Sequence, residues 1–322
     1  MKAIAITRYG GPEVLEVAER PIPQVGRGQV LVRVVASCVN PRDWLVREGR
    51  YVFGFMLPAM PFVPGSDIAG EVVEVGPAVE SLRVGDAVFG MQPLRGGMGA
   101  YAQFVAMDAD ALALKPATTS FEEAAAVPCA GLTAWGALHR IAAVGPGDRV
   151  VINGASGGVG TYAVQIAKAL GAHVSAISSA GNHGLCLSLG ADEVIDYNTQ
   201  DPLSLLRDVS VFFDVIGRSS LAKTRSCLRE GGRYITTIPS LPTLGTAVGS
   251  GLRRAFKLGD GKSAHMVLVR AHGKDLEALG QLMAANRLRS VIEAVYPLEE
   301  APAAHQRSRS WRVRGKLVLR ID

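Results

Sequence analysis

A glycine-rich turn between a strand and a helix constrains the fold of this chain more than any other sequence feature. The apolar run Arg149–Asn153 predicts a strand, and residues 159–170 predict a helix. Gly154, Gly157 and Gly160 lie where the two meet. Glycines in this setting let the chain turn tightly, let its backbone approach a diphosphate, and let the helix pack closely on the strand. The free N–H groups that begin the helix add positive potential. We therefore predict a dinucleotide-binding βαβ unit, with an ordinary glycine-rich connection as the alternative.

Strand and helix patterns alternate over residues 149–238 and extend this unit into a larger sheet. The strands are apolar with little polar alternation, which is typical of a parallel sheet covered on both faces. We predict a doubly wound parallel sheet with strands at Arg149–Asn153, 174–178, 193–197, 211–217 and 233–238, and helices at 159–170, before Gly190, and at 219–229 ahead of Gly231 and Gly232.

The first 120 residues have a different pattern, with short strands separated by Gly- and Pro-containing turns. Such spacing favours a barrel or folded sheet over a parallel one. The predicted strands lie at 2–7, 29–37, 68–75, 86–89 and 101–105.

A capped helix marks the change between the two patterns, because Ser120 precedes Glu122 and Glu123. Towards the end of the chain we expect a loop at 240–264, a strand at 265–270, a helix at 274–286, and strand-like sequence at 291–321 that rejoins the first domain. The fold class is α/β, with a β-rich domain at 1–120 and 268–322 and a dinucleotide-binding domain at 121–267.

Charge is balanced except in one short segment. The chain has 34 basic and 29 acidic residues. Residues 305–322 alone carry a surplus of five, so the remaining 304 residues balance at 28 against 28. A diffuse nucleic-acid footprint is absent. One interpretation of the basic segment is a solvated edge strand; its basic residues are Arg307, Arg309, Arg312, Arg314, Lys316 and Arg320.

Several classes of protein are excluded by composition and motifs. The 48% hydrophobic and 20% charged content excludes a disordered chain or a coiled coil. No apolar run reaches the roughly 18 residues of a membrane span, and no signal-peptide layout begins the chain, so we expect a cytoplasmic protein. No nucleophile elbow or triad motif suggests a hydrolase. The four cysteines are widely spaced, which predicts buried thiols rather than a disulfide framework or zinc knuckle.

The loop after the second strand of the sheet indicates which dinucleotide binds. NAD enzymes usually place an acidic residue there to hold the ribose 2′-hydroxyl. This chain has Ser178, Ser179 and Asn182 in the loop, and no carboxylate between Asp148 and Asp192. A 2′-phosphate would meet hydroxyls and an amide without repulsion. We therefore predict NADPH rather than NADH.

With these motifs in view, the chain resembles the zinc-independent medium-chain dehydrogenase/reductases of the quinone oxidoreductase (zeta-crystallin-like) type along nearly its full length. The resemblance implies a GroES-like catalytic domain wrapped around a Rossmann domain, with the cofactor in the cleft, and a homodimer. The motifs that carry it are Asn40-Pro41-Arg42-Asp43, Arg47-Glu48-Gly49-Arg50-Tyr51, Pro64-Gly65-Ser66-Asp67-Ile68-Ala69-Gly70, Ala130-Gly131-Leu132-Thr133-Ala134, the glycine turn, Leu189-Gly190-Ala191-Asp192, Asp196-Tyr197, Tyr296-Pro297-Leu298 and Arg314-Gly315-Lys316.

The same resemblance implies a set of cofactor-binding residues along the sheet. Thr133 would approach the nicotinamide, and Ile216, Gly217 and Ile238 would line the nicotinamide end. Lys316 or Arg314 would supply the cation that the second-strand loop lacks. The diphosphate turn would be formed by Ser156, Gly157, Gly158, Val159 and Gly160, and the adenosine phosphate would be surrounded by Ser178, Ser179, Asn182 and Tyr197.

Zinc-dependent relatives have a Cys where Asn40 stands and a His where Ser66 stands, and some have a third ligand where Cys129 stands. One thiol cannot hold a catalytic zinc, which takes three protein ligands. The four-cysteine structural lobe is also missing. We therefore predict no metal site.

Hydride transfer without a metal requires an acceptor that is already electrophilic at carbon, which means a quinone or an α,β-unsaturated carbonyl. Asn40 and Tyr51 are the candidate catalytic donors to the acceptor oxygen, although Asn40 could equally cap a local turn. Leu45 stands where relatives often have a second tyrosine, and Trp44 could form an apolar wall. Residues 53–62 form either an apolar wall of the substrate site or part of the hydrophobic core.

Two further functions remain open. The chain could be a non-catalytic NADPH-binding protein that senses redox state or binds a partner, which Leu45 and the basic segment would suit. Nucleic-acid binding through the basic segment is a third possibility.

Overall fold

The computed structural model of the chain describes residues 1–51, 57–93, 99–238, 245–247, 249 and 259–321. It contains two compact units. Unit 1 comprises Met1–Leu132 and Arg270–Asp322, and unit 2 comprises Thr133–Val269.

Unit 1 is built on a seven-stranded sheet in the order β14-β15-β3-β4-β5-β7, with β6 also paired to β3; a separate ribbon joins β1 to β2. Neighbours in the sheet are antiparallel except β14 and β15, which run parallel. The arrangement confirms the predicted β-rich domain. The strands are β1 (Lys2–Ala5), β2 (Glu16–Glu19), β3 (Gln29–Val39), β4 (Asp67–Val75), β5 (Ala87–Met91), β6 (Phe104–Asp108), β7 (Leu112–Leu114), β14 (Ile292–Pro297) and β15 (Lys316–Arg320).

Helices pack against this sheet and connect its strands. Ser120 caps α2 as predicted, because its hydroxyl accepts the Glu123 N–H at 3.1 Å and the Glu123 carboxylate accepts the Ser120 N–H at 3.0 Å. The helices that begin in unit 1 are α1 (Pro41–Arg47), α2 (Phe121–Ala125), α3 (Pro128–Trp135), α8 (Gly273–Ala284) and α9 (Ala301–Arg309).

The strand-like prediction for residues 291–321 is partly wrong, because α9 lies between β14 and β15. Its alanines and arginines favour a helix, and a proline occupies its first turn. The edge-strand interpretation is wrong as well, since β15 lies between β14 and β3.

The basic residues of this segment find acidic partners within unit 1. Arg307 pairs with Glu293 at 2.6 Å, Arg309 with Glu48 at 3.3 Å, and Arg320 with Glu122 at 2.9 Å. These pairs account for much of the local charge surplus.

Unit 2 is a six-stranded parallel sheet in the order β10-β9-β8-β11-β12-β13. In chain order this is 3-2-1-4-5-6, the Rossmann arrangement, and it confirms the predicted doubly wound sheet. The strands are β8 (Arg149–Asn153), β9 (His173–Ser178), β10 (Glu193–Asp196), β11 (Val209–Asp214), β12 (Leu228–Thr236) and β13 (Ser263–Met266); the helices are α4 (Gly158–Ala169), α5 (His183–Ser188), α6 (Pro202–Leu205) and α7 (Leu221–Thr224).

The predicted helix at 219–229 is too long. Only α7 forms, and Gly231 and Gly232 lie inside β12 instead of ending a helix. The parallel neighbours β11 and β13 override the local pattern, because β12 pairs with both of them. The predicted loop at 240–264 lies largely outside the described residues.

A buried polar chain joins α1 to α9 in unit 1. Arg47 donates to Nδ1 of His305 at 3.1 Å, so Nε2 of that imidazole carries the proton and donates to the Tyr101 oxygen at 3.1 Å. The Tyr101 hydroxyl in turn donates to Asp43 at 3.3 Å. Burial, helped by the Arg47 charge, lowers the pKa of His305 to about 3.

We predict that His305→Gln makes stability less sensitive to acid. A folded-state His pKa below the ordinary value gives stability that is present above pH ~6.5 and is lost as the pH falls towards 3. The wild-type free energy of unfolding should therefore fall between pH 6 and 4 by about 1.4 kcal/mol per pH unit more than that of the variant. Urea denaturation followed by circular dichroism measures this slope. The exposed His173→Gln should keep the wild-type slope, and equal slopes for all three proteins would contradict the prediction.

Candidate functional site

In unit 2, two glycines of the turn after β8, Gly154 and Gly160, leave no room for a side chain. Gly154 has a φ of +89°, a backbone conformation that favours glycine. A Cβ on Gly160 would collide with the carbonyl oxygen of Gly154. No side chain caps α4, which begins at Gly158. Its first N–H groups are therefore open to a phosphate, and Ser156 and Val159 lie within the same turn.

The end of β9 places Ser178, Ser179 and Asn182 next in line along the sheet. Ser178 is buried, while Asn182 donates to the Ser179 hydroxyl at 3.2 Å. Tyr197, which follows β10, is 47% exposed and can face a ligand. Sequence reasoning missed His183, whose Nε2 is buried with no hydrogen-bond partner.

Asp214, at the end of β11, fixes the loop that contains Ile216 and Gly217. Its carboxylate accepts the backbone N–H of Gly217 at 3.0 Å and the side-chain amide of Asn153 at 2.9 Å. Ile216 and Ile238 remain 38% and 40% exposed. Sequence reasoning also missed Asp214, because its partners come from separate strands.

The predicted cofactor residues of unit 2 thus follow the carboxyl ends of strands that are adjacent in one sheet, which is where doubly wound folds bind ligands. Three other predicted cofactor residues lie elsewhere. Thr133 is a buried residue of α3, and Lys316 and Arg314 belong to unit 1. The glycine turn, the uncapped start of α4 and the exposed Ile216 and Ile238 fit a dinucleotide.

In unit 1, the side chain of Asn40 is held between two charged groups. Its Nδ2 donates to Asp67 at 2.9 Å, and its Oδ1 accepts from the ammonium of Lys316 at 2.6 Å. The backbone N–H of Cys129 donates to the other Asp67 oxygen at 3.1 Å. All three side chains are buried, with Asn40 at 3% exposure. Asn40 is also the N-cap residue of α1, and its backbone N–H donates to the Asp43 carboxylate at 2.8 Å, so the predicted capping position is confirmed while the side-chain amide is held by Asp67 and Lys316.

Burial shifts the titration of these groups. It raises the pKa of Asp67 to about 7, even though Lys316 and Asn40 act to lower it. Burial also lowers the pKa of Lys316, but the acidic groups Cys38 and Asp67 outweigh it and the net shift is upward. The ammonium is therefore charged at neutral pH. Burial raises the pKa of Cys129 to about 12, so its thiol stays protonated.

Lys316 has a different environment from the one expected for a phosphate-binding cation, because its ammonium is buried against Asn40 within unit 1. Arg314 donates its backbone N–H to Glu293 at 2.6 Å.

The donor set at the position of a catalytic zinc does not fit that ion. Asn40 already uses both ends of its amide, Ser66 offers a neutral hydroxyl, and the thiol of Cys129 is protonated. A buried ammonium next to Asn40 would also repel a cation. In the part of the chain that the structure describes, no three His, Cys, Asp or Glu side chains form a possible metal-ligand group.

The other candidates around α1 have mixed surroundings. Tyr51 is half-buried against the unit 1 core, and burial raises its pKa. Leu45 is half-buried. Trp44 donates its indole N–H to Ser308 at 3.2 Å and packs edge-on against Trp311, so it belongs to the packing of unit 1 rather than to a free wall.

The proposed substrate wall at 53–62 is only partly described. Residues 53–56 lie outside the described residues. Phe62 is a member of the buried core of unit 1, and its backbone pairs with that of Ile6. At Phe62, the core interpretation is the correct one.

The four cysteines follow the sequence expectation in part. Cys38, Cys186 and Cys227 are buried free thiols, and Cys129 is half-buried. Within the described ranges, no helix has the length and apolar character to span a bilayer.

A β-rich unit combined with a Rossmann unit defines a two-domain dehydrogenase or reductase. Residues 26–117 match the alcohol dehydrogenase GroES-like domain, and residues 189–319 match the zinc-binding dehydrogenase domain. The chain belongs to the medium-chain dehydrogenase/reductases, a family of NAD(P)H-dependent oxidoreductases.

Its relatives include reductases of two kinds. It is 33% identical over 329 residues to a chloroplastic protein named quinone-oxidoreductase QR1 from Triphysaria versicolor, covering 99% of this chain and 98% of that protein. It is 33% identical over 325 residues to trans-enoyl reductase pgmF from Aspergillus terreus, covering 94% and 90%. The solved quinone oxidoreductase of Coxiella burnetii superposes with a TM-score of 0.88 at 33% identity, covering 100% of this chain and 99% of that one.

We predict that Lys316→Met strongly destabilises unit 1. The substitution removes the ammonium that acts most strongly on buried Asp67 and leaves only the weaker effect of the Arg42 charge. Removing one partner of a buried charged group costs about 3 to 5 kcal/mol. Urea denaturation at pH 8 measures the loss, since Asp67 is then largely ionised. The control is Lys2→Met, whose ion pair with Glu299 is 38% and 46% exposed and should contribute no more than about 1 kcal/mol. Similar losses for both variants would contradict this account.

Proposed function

We propose that this protein is an NADPH-dependent reductase of quinones or α,β-unsaturated carbonyl compounds. The single observation that carries the proposal is the glycine turn at the carboxyl edge of the parallel sheet, beside a loop without carboxylates. The names of the relatives, quinone oxidoreductase and trans-enoyl reductase, support the same acceptor classes. A homodimer and a cytoplasmic location stay predictions.

In this proposal, unit 2 binds the cofactor. The N–H groups of Gly157 to Gly160 hold the diphosphate, and Ile216, Gly217 and Ile238 contact the nicotinamide end together with Thr133. Ser179, Asn182 and Tyr197 surround the 2′-phosphate as neutral hydrogen-bonding groups. When bound, the reduced nicotinamide supplies a hydride to the electron-poor carbon of the acceptor, and a proton from solvent completes the two-electron reduction.

Unit 1 orients and polarises the acceptor. One amide hydrogen of Asn40 is used by Asp67, and the second is the donor that we assign to the acceptor oxygen. The ammonium of Lys316 on Oδ1 polarises this amide and prevents it from rotating, which makes Lys316 a positioning residue. A donor of this kind contributes about 3 kcal/mol to the stabilisation of a developing oxyanion. Tyr51 is the second candidate donor.

The proposal is tested by following the loss of reduced-nicotinamide absorbance with naphthoquinone, cyclohexenone and hexenal. We expect turnover with at least one acceptor class, and a higher kcat/KM for NADPH than for NADH. A chelator should leave the rate unchanged. NADPH binding without turnover on the whole panel would favour the non-catalytic alternative, and absence of binding would contradict both.

We predict that Ser179→Asp reverses the nucleotide preference. A carboxylate in this loop repels a 2′-phosphate and can accept hydrogen bonds from a 2′-hydroxyl. The KM for NADPH should rise at least about tenfold, corresponding to ~1.4 kcal/mol of lost binding, and the KM for NADH should fall. Ser204→Asp, at an exposed serine of α6, adds the same charge and should leave both values unchanged. An unchanged NADPH KM in Ser179→Asp would remove this loop from the cofactor site.

A further inference from the structure

Arg42, the second residue of α1, is a buried cation that has no ion-pair partner among the described residues. Arg42 is 8% exposed, and its Nε is fully buried and has no hydrogen-bond partner in the described structure. Its Nη1 is 4.0 Å from the thioether sulfur of Met91, a weak acceptor. No carboxylate of the described chain lies within ion-pair distance of it. Burying an unpaired charge is costly. A bound anion would therefore compensate the charge of this guanidinium.

The sheet places this guanidinium beside Asn40. Met91 of β5 is the register partner of Asp67 of β4, so their side chains lie next to each other on one face. Asp67 holds the Asn40 amide at 2.9 Å, while Met91 contacts Arg42. The two donors, Arg42 and Asn40, therefore lie over neighbouring positions of the same face.

Two other buried polar atoms in this region also lack partners. They are Oδ1 of Asp43, next to Arg42 in the chain, and the hydroxyl of Ser66, next to Asp67. Because Nε of Arg42 and Oδ1 of Asp43 are both unpartnered, they do not satisfy each other. The charge of Arg42 reaches the carboxyl groups of Asp43 and Asp67, but neither forms an ion pair with it within 4 Å.

We propose that Arg42 binds a carboxylate carried by the acceptor, so that the substrates are conjugated carbonyl compounds with an acid group. This inference rests on the proposed function and narrows its substrate class. An arginine is charged at all times, so a permanent anion compensates it before and during reaction, whereas a neutral quinone would leave it unpaired in the bound complex. The planar guanidinium also matches the geometry of a carboxylate, which it binds through two parallel hydrogen bonds.

A matched pair of acceptors tests the proposal through turnover. 4-Oxopent-2-enoate and pent-3-en-2-one share the enone and differ by a carboxylate in place of a methyl group. We expect wild-type kcat/KM to be higher for the acid, and Arg42→Met to lower the ratio of acid to neutral kcat/KM at least about thirtyfold. The exposed Arg27→Met is the control and should keep the wild-type ratio.

A second measurement does not depend on turnover. The saturated acid 4-oxopentanoate has no carbon–carbon double bond to accept a hydride. It should protect the wild type, but not Arg42→Met, from urea denaturation. Without ligand, Arg42→Met should be at least as stable as the wild type, because it removes an uncompensated buried charge. A much less stable variant would show that the cation is structural and would overturn the proposal.

The outcomes separate this inference from the proposed function. If the wild type reduces pent-3-en-2-one or a quinone but shows no preference for the acid, the inference is wrong and the reductase function stands. If no acceptor is reduced, the reductase function fails. Protection by 4-oxopentanoate that requires Arg42 would still support the anion site in that case, and protection independent of Arg42 would overturn it.

Discussion

The structure of unit 1 depends on a buried carboxylate, that of Asp67, which must be compensated. The compensation comes from three other segments: Asn40 at the end of β3, the backbone of Cys129 in α3, and Lys316 at the start of β15, which acts through Asn40. Since an unpaired buried charge is unfavourable, the meeting of these segments stabilises the ionised form of Asp67. The cluster therefore couples the return of the C-terminal strand to the sheet with the positioning of the Asn40 amide.

In unit 2 the corresponding constraint is steric rather than electrostatic. Gly154 and Gly160 leave no space for a side chain, which brings β8 and α4 close together. Asp214 then holds the loop after β11 by accepting hydrogen bonds from its backbone and from Asn153. One carboxylate and two glycines thus shape an edge of the sheet that offers backbone donors to a phosphate and apolar side chains to a ring.

The sequence allowed the fold of unit 2 to be predicted because its determinants are local. The glycine turn and the apolar strands have short-range patterns, as does the capped helix at Ser120 in unit 1. Local patterns misled where tertiary pairing decides. Gly231 and Gly232 resemble a helix end, yet they lie at an irregularity inside β12, which pairs with β11 before and after them and with β13 from Arg233 onwards. The helix Ala301–Arg309 was missed because its charged residues suggested a solvated strand, whereas their acidic partners lie far away in sequence.

The site residues divide in the same way. The position of the glycine turn between β8 and α4 could be predicted from spacing alone. The environment of Lys316 could not, because its partner Asn40 is 276 positions away. Arg42 stands inside a recognisable motif, and only burial distinguishes it from a solvated arginine.

The placement of the three tryptophans gives each unit its own optical reporter. Trp44 and Trp311 of unit 1 are in edge contact, with ring centroids 5.4 Å apart, and Trp135 of unit 2 stacks on His139 at 4.3 Å. Buried indole emits at shorter wavelength than hydrated indole, and a protonated imidazole quenches an indole stacked on it. The emission wavelength thus follows the α1–α9 packing around Trp44, while Trp135 reports on its own stacking contact with His139. The two units can therefore be followed separately by intrinsic tryptophan fluorescence, without an attached dye.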